Sequence, residues 1–111
     1  TIVLPKSARL PANLSSFPTI GIRMPDHDFA RELMKRCGPL AATSANLSGG
    51  EDSLTAKDVL SQLAGRIDLV LDGGPTSGSM PSTVVDCTGD MPLILRHGGI
   101  SEQSVRKVWY E

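Results

Sequence analysis

Short β-branched runs alternating with capped amphipathic segments predict an α/β (α+β) fold: a twisted mixed sheet flanked by helices. Three observations carry that expectation. Apolar runs such as "TIVLP", "TIGIRM" and "STVVDC" are brief and rich in Ile, Val and Thr, as strands are. Between them lie segments with helical apolar spacing and recognisable start signals. Eleven glycines and eight prolines in 111 residues cut the chain into short elements joined by defined turns. This length suits one domain, 1–111, without repeats or low-complexity tracts.

The elements follow in order. "TIVLP" is a strand ended by Pro5, and the Pro-, Ser- and Asn-rich residues 6–18 form a loop. "TIGIRM" (19–24) alternates Ile20, Ile22 and Met24 with Thr19, Gly21 and Arg23, a half-buried strand. Pleat alternation places Thr19 and Arg23 on one face. In "PDHDFARELMKRCG" the residues Phe29, Leu33, Met34 and Cys37 keep helical spacing, an Asp provides the N-cap and Gly38 closes the helix. "PLAAT" (39–43) reads as a short buried strand. Thr55 caps the next helix, "AKDVLSQLA", with Asp58 completing a capping box, Leu54 and Val59 forming a hydrophobic staple, and Gly65 ending it. "RIDLVLD" (66–72) is read as a strand with Ile67, Leu69 and Leu71 on one face, and "GGPTSGSMP" (73–81) as a small, flexible loop. "STVVDC" (82–87) and "PLILR" (92–96) are strands joined by the turn "TGDM". Ser101 caps the last helix, "EQSVRKVWYE", with an Ile100–Val105 staple.

Composition narrows the function. A net charge of −1 leaves no strong electrostatic footprint for nucleic acid. Cys37 and Cys87 lie far apart without metal-ligand spacing and read as reduced, mostly buried thiols of a cytoplasmic protein. No apolar run approaches the roughly 20 residues of a membrane span. The 40% apolar content, with only four aromatic side chains, predicts a core of Leu, Ile, Val, Met and Ala. The chain opens at Thr1 directly in a strand-like run, so residues upstream and a larger protein are expected.

Three segments could carry chemistry. In "AATSANLSGG" (41–50), Ala42, Ala45, Gly49 and Gly50 admit a ligand close to the backbone, and Ser44 and Asn46 offer donors for phosphate or carbonyl oxygens. The same composition also fits a turn that satisfies its own backbone. The pattern is not a P-loop. "DGGPTSGSMPST" delivers Ser82 and Thr83 to the start of a strand, a common place for ligands in α/β folds. "LILRHGG" ends a strand on Arg96, which can clamp a phosphate or serve as a surface ion-pair residue. His27 and His97 lack a second ligand at metal spacing. Asp68, Asp72 and Asp86 read as turn-capping or solvated carboxylates, with Mg²⁺ or an amino group as the other possible partner. Ser44 has no His or Asp partner for nucleophilic catalysis, so no catalytic side chain and no protein-held metal is expected.

Taken together, "TIGIRMPDH", "PLAATSANLSG", "GRIDLVLDGGP", "PSTVVD" and "LILRHGGIS" resemble, in order and spacing, the C-terminal half of the YrdC-like threonylcarbamoyl-AMP synthases. That family makes threonylcarbamoyl-AMP and pyrophosphate from L-threonine, bicarbonate and ATP, for threonylcarbamoyladenosine modification of tRNA. The resemblance implies a YrdC-like fold with its N-terminal half missing, and ATP accompanied by Mg²⁺. It implies ATP contacts at Thr19, Ala42, Ser44, Asn46 and Arg96, and threonine contacts at Arg23 and Ser82. Other proteins of the tRNA-modification pathway, and tRNA itself, are implied partners. The family's Arg-Pro-Gly is Arg96-His97-Gly98 here, which leaves the backbone after Arg96 freer. The missing half carries the basic "KxR" residues and a threonine-side histidine, so this stretch alone is expected to lack synthase activity. Three alternatives stay open: the YrdC-like domain of a hydrogenase-maturation carbamoyltransferase, a double-stranded RNA or tRNA-binding module, and a sheet completed by self-association.

Overall fold

A computed structural model describes residues 1–76 and 80–111; residues 77–79 of the expected small loop lie outside the described residues. The element order is β1 (Ile2–Pro5), a 3₁₀ turn (Ala12–Leu14), β2 (Thr19–Ile22), α1 (Asp28–Cys37), α2 (Ala56–Leu63), β3 (Val84–Asp86), β4 (Leu93–Arg96) and α3 (Glu102–Trp109). The strands form one sheet in the order β2-β1-β3-β4. β1 pairs antiparallel with β2 and parallel with β3, and β3 pairs antiparallel with β4. The expected mixed sheet is therefore present, together with three α-helices. None of these helices is long and apolar enough to cross a membrane.

The chain divides into two compact units, Thr1–Ala41 with Met80–Glu111, and Ala42–Ser79. The first holds the whole sheet with α1 and α3, and the second holds α2 and the small-residue loop before it.

Helix ends largely follow their local signals. Thr55 Oγ1 accepts from the Asp58 amide (3.2 Å), and the Asp58 carboxylate accepts from the Thr55 amide (2.9 Å), the reciprocal capping box that the sequence predicts. The Thr55 side chain, together with the Leu54 and Thr55 amides, holds the Asp58 carboxyl below its ordinary range. Ser101 Oγ accepts from the Ser104 amide at 3.2 Å. Gly38 ends α1 at φ +80°, a conformation that costs a residue with a Cβ but not glycine. The N-terminus of α1 departs from expectation: His27, not an Asp, is the N-cap, and its Nδ1 accepts from the Ala30 amide at 3.3 Å. Both candidate aspartates pair instead with Arg31, Asp26 at 2.8 Å and Asp28 at 2.5 Å. A guanidinium within the first turn outcompetes the amide donors for these carboxylates, which in turn raise the Arg31 pKa.

Two expected strands are absent. Residues 39–43 and 66–72 are not strands, and Leu69 is 73% exposed. An apolar run becomes a strand only when a neighbouring edge takes up its N–H and C=O groups, and no strand of the described sheet does so for either run. β3 and β2 are also shorter than expected: β3 covers only Val84–Asp86 of the expected 82–87, because only those residues pair with β4. β2 stops at Ile22, so Arg23 lies just past the strand and the pleat argument does not reach it.

The predicted aliphatic core is largely unrealised. Among the described residues only Thr83, Val85 and Pro92 are buried, while Leu93 and Leu71 are more than half exposed. A sheet pairs its strands edgewise by hydrogen bonds, but its faces bury apolar side chains only against an opposing layer. Cys37 is likewise exposed, at the open end of α1, and Cys87 is half-buried. Both thiols are free, as expected.

Candidate functional site

The sheet brings together residues that lie far apart in the chain. The β3–β4 ladder slips between Val84 and Val85: Val85 faces Ile94, and Val84 faces Arg96. One extra residue, Leu95, is thus accommodated on β4. Such a bulge re-aims the side chain beside it, and here that residue is Arg96, at the end of its strand. Arg96 Nε donates to the Ser82 carbonyl at 3.0 Å. From the other side, Arg23 Nη1 donates to Ser82 Oγ at 3.3 Å. Ser82, half-buried ahead of β3, is held between two exposed guanidinium groups.

Each arginine spends one N–H on Ser82 and has other donors left, since a guanidinium carries five. Two such forks on one serine form a cationic patch matched to carboxylate or phosphate oxygens. Thr19 is half-buried at the start of β2, opposite Pro5 of β1. The structure thus joins Arg23, Ser82 and Arg96, and places Thr19 on the same sheet without a hydrogen bond to them among the described residues.

Beneath Ser82 the backbone is tightly clamped. Thr83, 5% exposed, donates through Oγ1 to the Ile100 carbonyl (2.7 Å) and accepts from the Ile100 amide (3.0 Å). Gly98 lies directly against this stretch: a Cβ there would run into Pro81 O, the Ser82 carbonyl carbon and Thr83 N. The sequence singles out Arg96, and Ser82 with Thr83 at a strand start, but it predicts neither the inward bridge of Thr83 nor any role for Gly98. The one signal for Gly98 is its place in a glycine pair after an arginine-terminated strand.

The small-residue loop lies in the other unit. Ala42 and Ser44 are exposed, and the Ser44 carbonyl accepts from Thr43 Oγ1 at 3.3 Å. Asn46 is half-buried, and its Nδ2 donates to the Leu47 (3.1 Å) and Gly50 (2.9 Å) carbonyls. Two carbonyl acceptors fix the orientation of this amide. The donor that the sequence offers to a ligand is therefore spent on the loop itself, and Asn46 Oδ1 is buried without a hydrogen-bond partner among the described residues. The two readings of this segment thus meet in one residue, which closes the turn with one amide atom and leaves the other without a partner among the described residues.

Gln62 on α2 completes the loop. Its Oε1 accepts from the Leu47 amide (3.1 Å), and its Nε2 donates to the Glu51 carbonyl (3.1 Å) and to Ser53 Oγ (3.3 Å). Ser53 Oγ in turn donates to the Ala45 carbonyl at 2.8 Å. Neither residue stands out in the sequence, because a Gln on a helix surface carries no local signature.

Among the aspartates, Asp72 Oδ1 accepts from the Gly74 amide and Asp86 Oδ1 from the Thr88 amide, each at 2.9 Å. Both are turn-capping carboxylates, and the bonds from Thr88 keep the Asp86 carboxyl below its ordinary range. Among the described residues, no group of three His, Cys, Asp or Glu side chains gathers where a metal could sit.

The chain matches known proteins over nearly its whole length. The family model Sua5/YciO/YrdC, described as telomere recombination, matches residues 1–98. The chain is 42% identical over 111 residues to a threonylcarbamoyl-AMP synthase of Bacillus subtilis, and 38% identical over 110 residues to one of Pyrococcus abyssi. Each match covers 97% of this chain but 32% of the relative, so the chain spans about a third of the length of the curated relatives it matches. Its backbone is similar to that of P. abyssi Sua5 complexed with L-threonine, with a TM-score of 0.87 at 38% identity, covering 96% of this chain and 32% of that one.

Proposed function

This chain belongs to the Sua5/YciO/YrdC family, and on that premise we propose that it is part of an L-threonylcarbamoyladenylate synthase acting in tRNA threonylcarbamoyladenosine modification. The substrates are L-threonine, bicarbonate and ATP; the products are threonylcarbamoyl-AMP and pyrophosphate. The observation that carries the proposal is Ser82 held between Arg23 and Arg96 at 3.3 and 3.0 Å. The names of the matched synthases and the threonine complex of the P. abyssi protein support it.

In this reading Arg23 and Ser82 take the threonine, the guanidinium facing the carboxylate. Arg96 faces the nucleotide phosphates, with Thr19, Ala42, Ser44 and Asn46 as further ATP contacts. The threonine amine attacks the bicarbonate carbon; a C–N bond forms, water leaves and a carbamate results. A carbamate oxygen then attacks the α-phosphorus, and the bond to pyrophosphate breaks. Neither step needs a nucleophile from the protein. What the protein supplies is proximity and positive charge where the anions meet, which is what a site of Arg, Ser, Thr and Asn provides. Mg²⁺ accompanies ATP on its phosphates. The described residues gather no group of three His, Cys, Asp or Glu side chains to hold the ion, which would come with the nucleotide and add to the neutralisation of its charge. The reaction is placed in the cytoplasm, where tRNA and the pathway proteins that consume threonylcarbamoyl-AMP are its partners.

Calorimetry on the full-length protein tests the assignment. Arg96→Ala and Ser44→Ala are each expected to weaken ATP binding by about tenfold or more, the effect of losing a charged or directed hydrogen bond. ATP binding equal to wild type in both variants would overturn it.

A further inference from the structure

We propose that Thr83 is a positioning residue for substrate binding: it fixes Ser82 between its two arginines without touching substrate itself. This inference rests on the assignment of Ser82 and Arg23 to the threonine. Thr83 is one of the few buried residues described, and it is polar. A buried hydroxyl is costly unless paired, and this one is paired twice. It gives its proton to the Ile100 carbonyl at 2.7 Å and receives the Ile100 amide at 3.0 Å. One side chain thus saturates both backbone groups of a residue 17 positions away, much as a strand neighbour would.

The consequence for the site is geometric. Ile100 immediately precedes Ser101, the N-cap of α3, and lies four residues beyond Arg96. The Thr83 bridge therefore ties the segment 96–100 to the segment 81–83. The absence of a side chain on Gly98 lets the two backbones meet. Arg96 reaches the Ser82 carbonyl across the same junction. Ser82 is then oriented from both ends, its carbonyl by Arg96 and its following residue by Ile100. Its hydroxyl is left at the Arg23 guanidinium. Without the bridge, Ser82 keeps its chemistry and loses its fixed direction.

The test is a double-mutant cycle in the full-length protein, read as the Kd for L-threonine by calorimetry. Thr83→Val keeps the β-branched shape and removes the hydroxyl; the expected result is threonine binding weakened about tenfold. Thr83→Ser keeps the hydroxyl and is expected to bind within about twofold of wild type. In a Ser82→Ala background, Thr83→Val is expected to add almost nothing, because its effect passes through Ser82. Full additivity of the two substitutions, or wild-type threonine binding by Thr83→Val, overturns the inference. If Thr83→Val does not fold, Thr83→Ser decides, since threonine binding weakened about tenfold with the hydroxyl still present overturns the inference as well. If Ser82→Ala itself binds threonine like wild type, the assignment of the threonine site fails; if only Thr83→Val does so, that assignment stands and the positioning role alone is lost.

Discussion

The two candidate ligand segments are built in opposite ways. The loop 42–53 is held by contacts that are local in sequence: Asn46 reaches Gly50, Ser53 reaches Ala45, and Gln62 reaches Leu47, none more than 15 positions apart. The arginine–serine cluster is held from a distance. Arg23 and Ser82 are 59 positions apart, and they meet only because β2, β1 and β3 lie side by side. The first segment is a self-sufficient turn that a short stretch of chain specifies. The second exists only when the sheet does. In a destabilised protein the cluster should therefore be lost with global unfolding, while the loop depends on α2.

The comparison breaks most sharply at Gly98. Gly98→Ala puts a methyl into the backbone of residues 81–83, and a destabilisation of roughly 3 kcal/mol is expected, at the upper end for overpacking a tight site. Chemical denaturation of the full-length protein measures it; a change below about 0.5 kcal/mol would show that the two segments are free to separate.

Gln62→Leu probes the other side of the comparison. It removes three hydrogen bonds to the loop and is expected to cost about 1.5 kcal/mol. The clearer readout is hydrogen exchange. The Leu47 amide should exchange at least about tenfold faster, while amides of β1 and β3 keep their rates. Equal acceleration in both regions would dissolve the distinction between them.

The smallest effect is expected at the capping box. Thr55→Ala should cost about 1 kcal/mol. Its partner Asp58 adds a pH dependence of definite sign. The folded carboxyl titrates below its unfolded value, so its stabilisation is complete above the ordinary Asp range and is lost as pH falls through the depressed folded value. Urea unfolding at a series of acidic pH values should show a shallower loss in Asp58→Asn than in wild type. Identical profiles would mean that the box does not hold in solution.

Local chemistry is what the linear chain spells out. The Thr55 box, the Ser101 cap and the Gly38 terminus are legible because each is decided within a few residues, by a hydroxyl, a carboxylate or the lack of a Cβ. The strands β1, β2, β3 and β4 are legible for a related reason: β-branched runs between breakers disfavour the alternatives. The same signals mislead at 39–43 and 66–72, where the composition suits a strand but no strand of the described sheet pairs with either run. They mislead again at α1, where Arg31 claims the aspartates and leaves the cap to His27.

Composition and order alone thus determine the mixed α/β class, most element positions and the small polar residues suited to a ligand. Only the tertiary structure decides which of those residues meet. The slip between Val84 and Val85, the Thr83–Ile100 bridge and the fit of Gly98 against residues 81–83 depend on separate stretches of chain arriving at one place. A strand carries no mark of its register until a neighbour supplies the other half of each hydrogen bond.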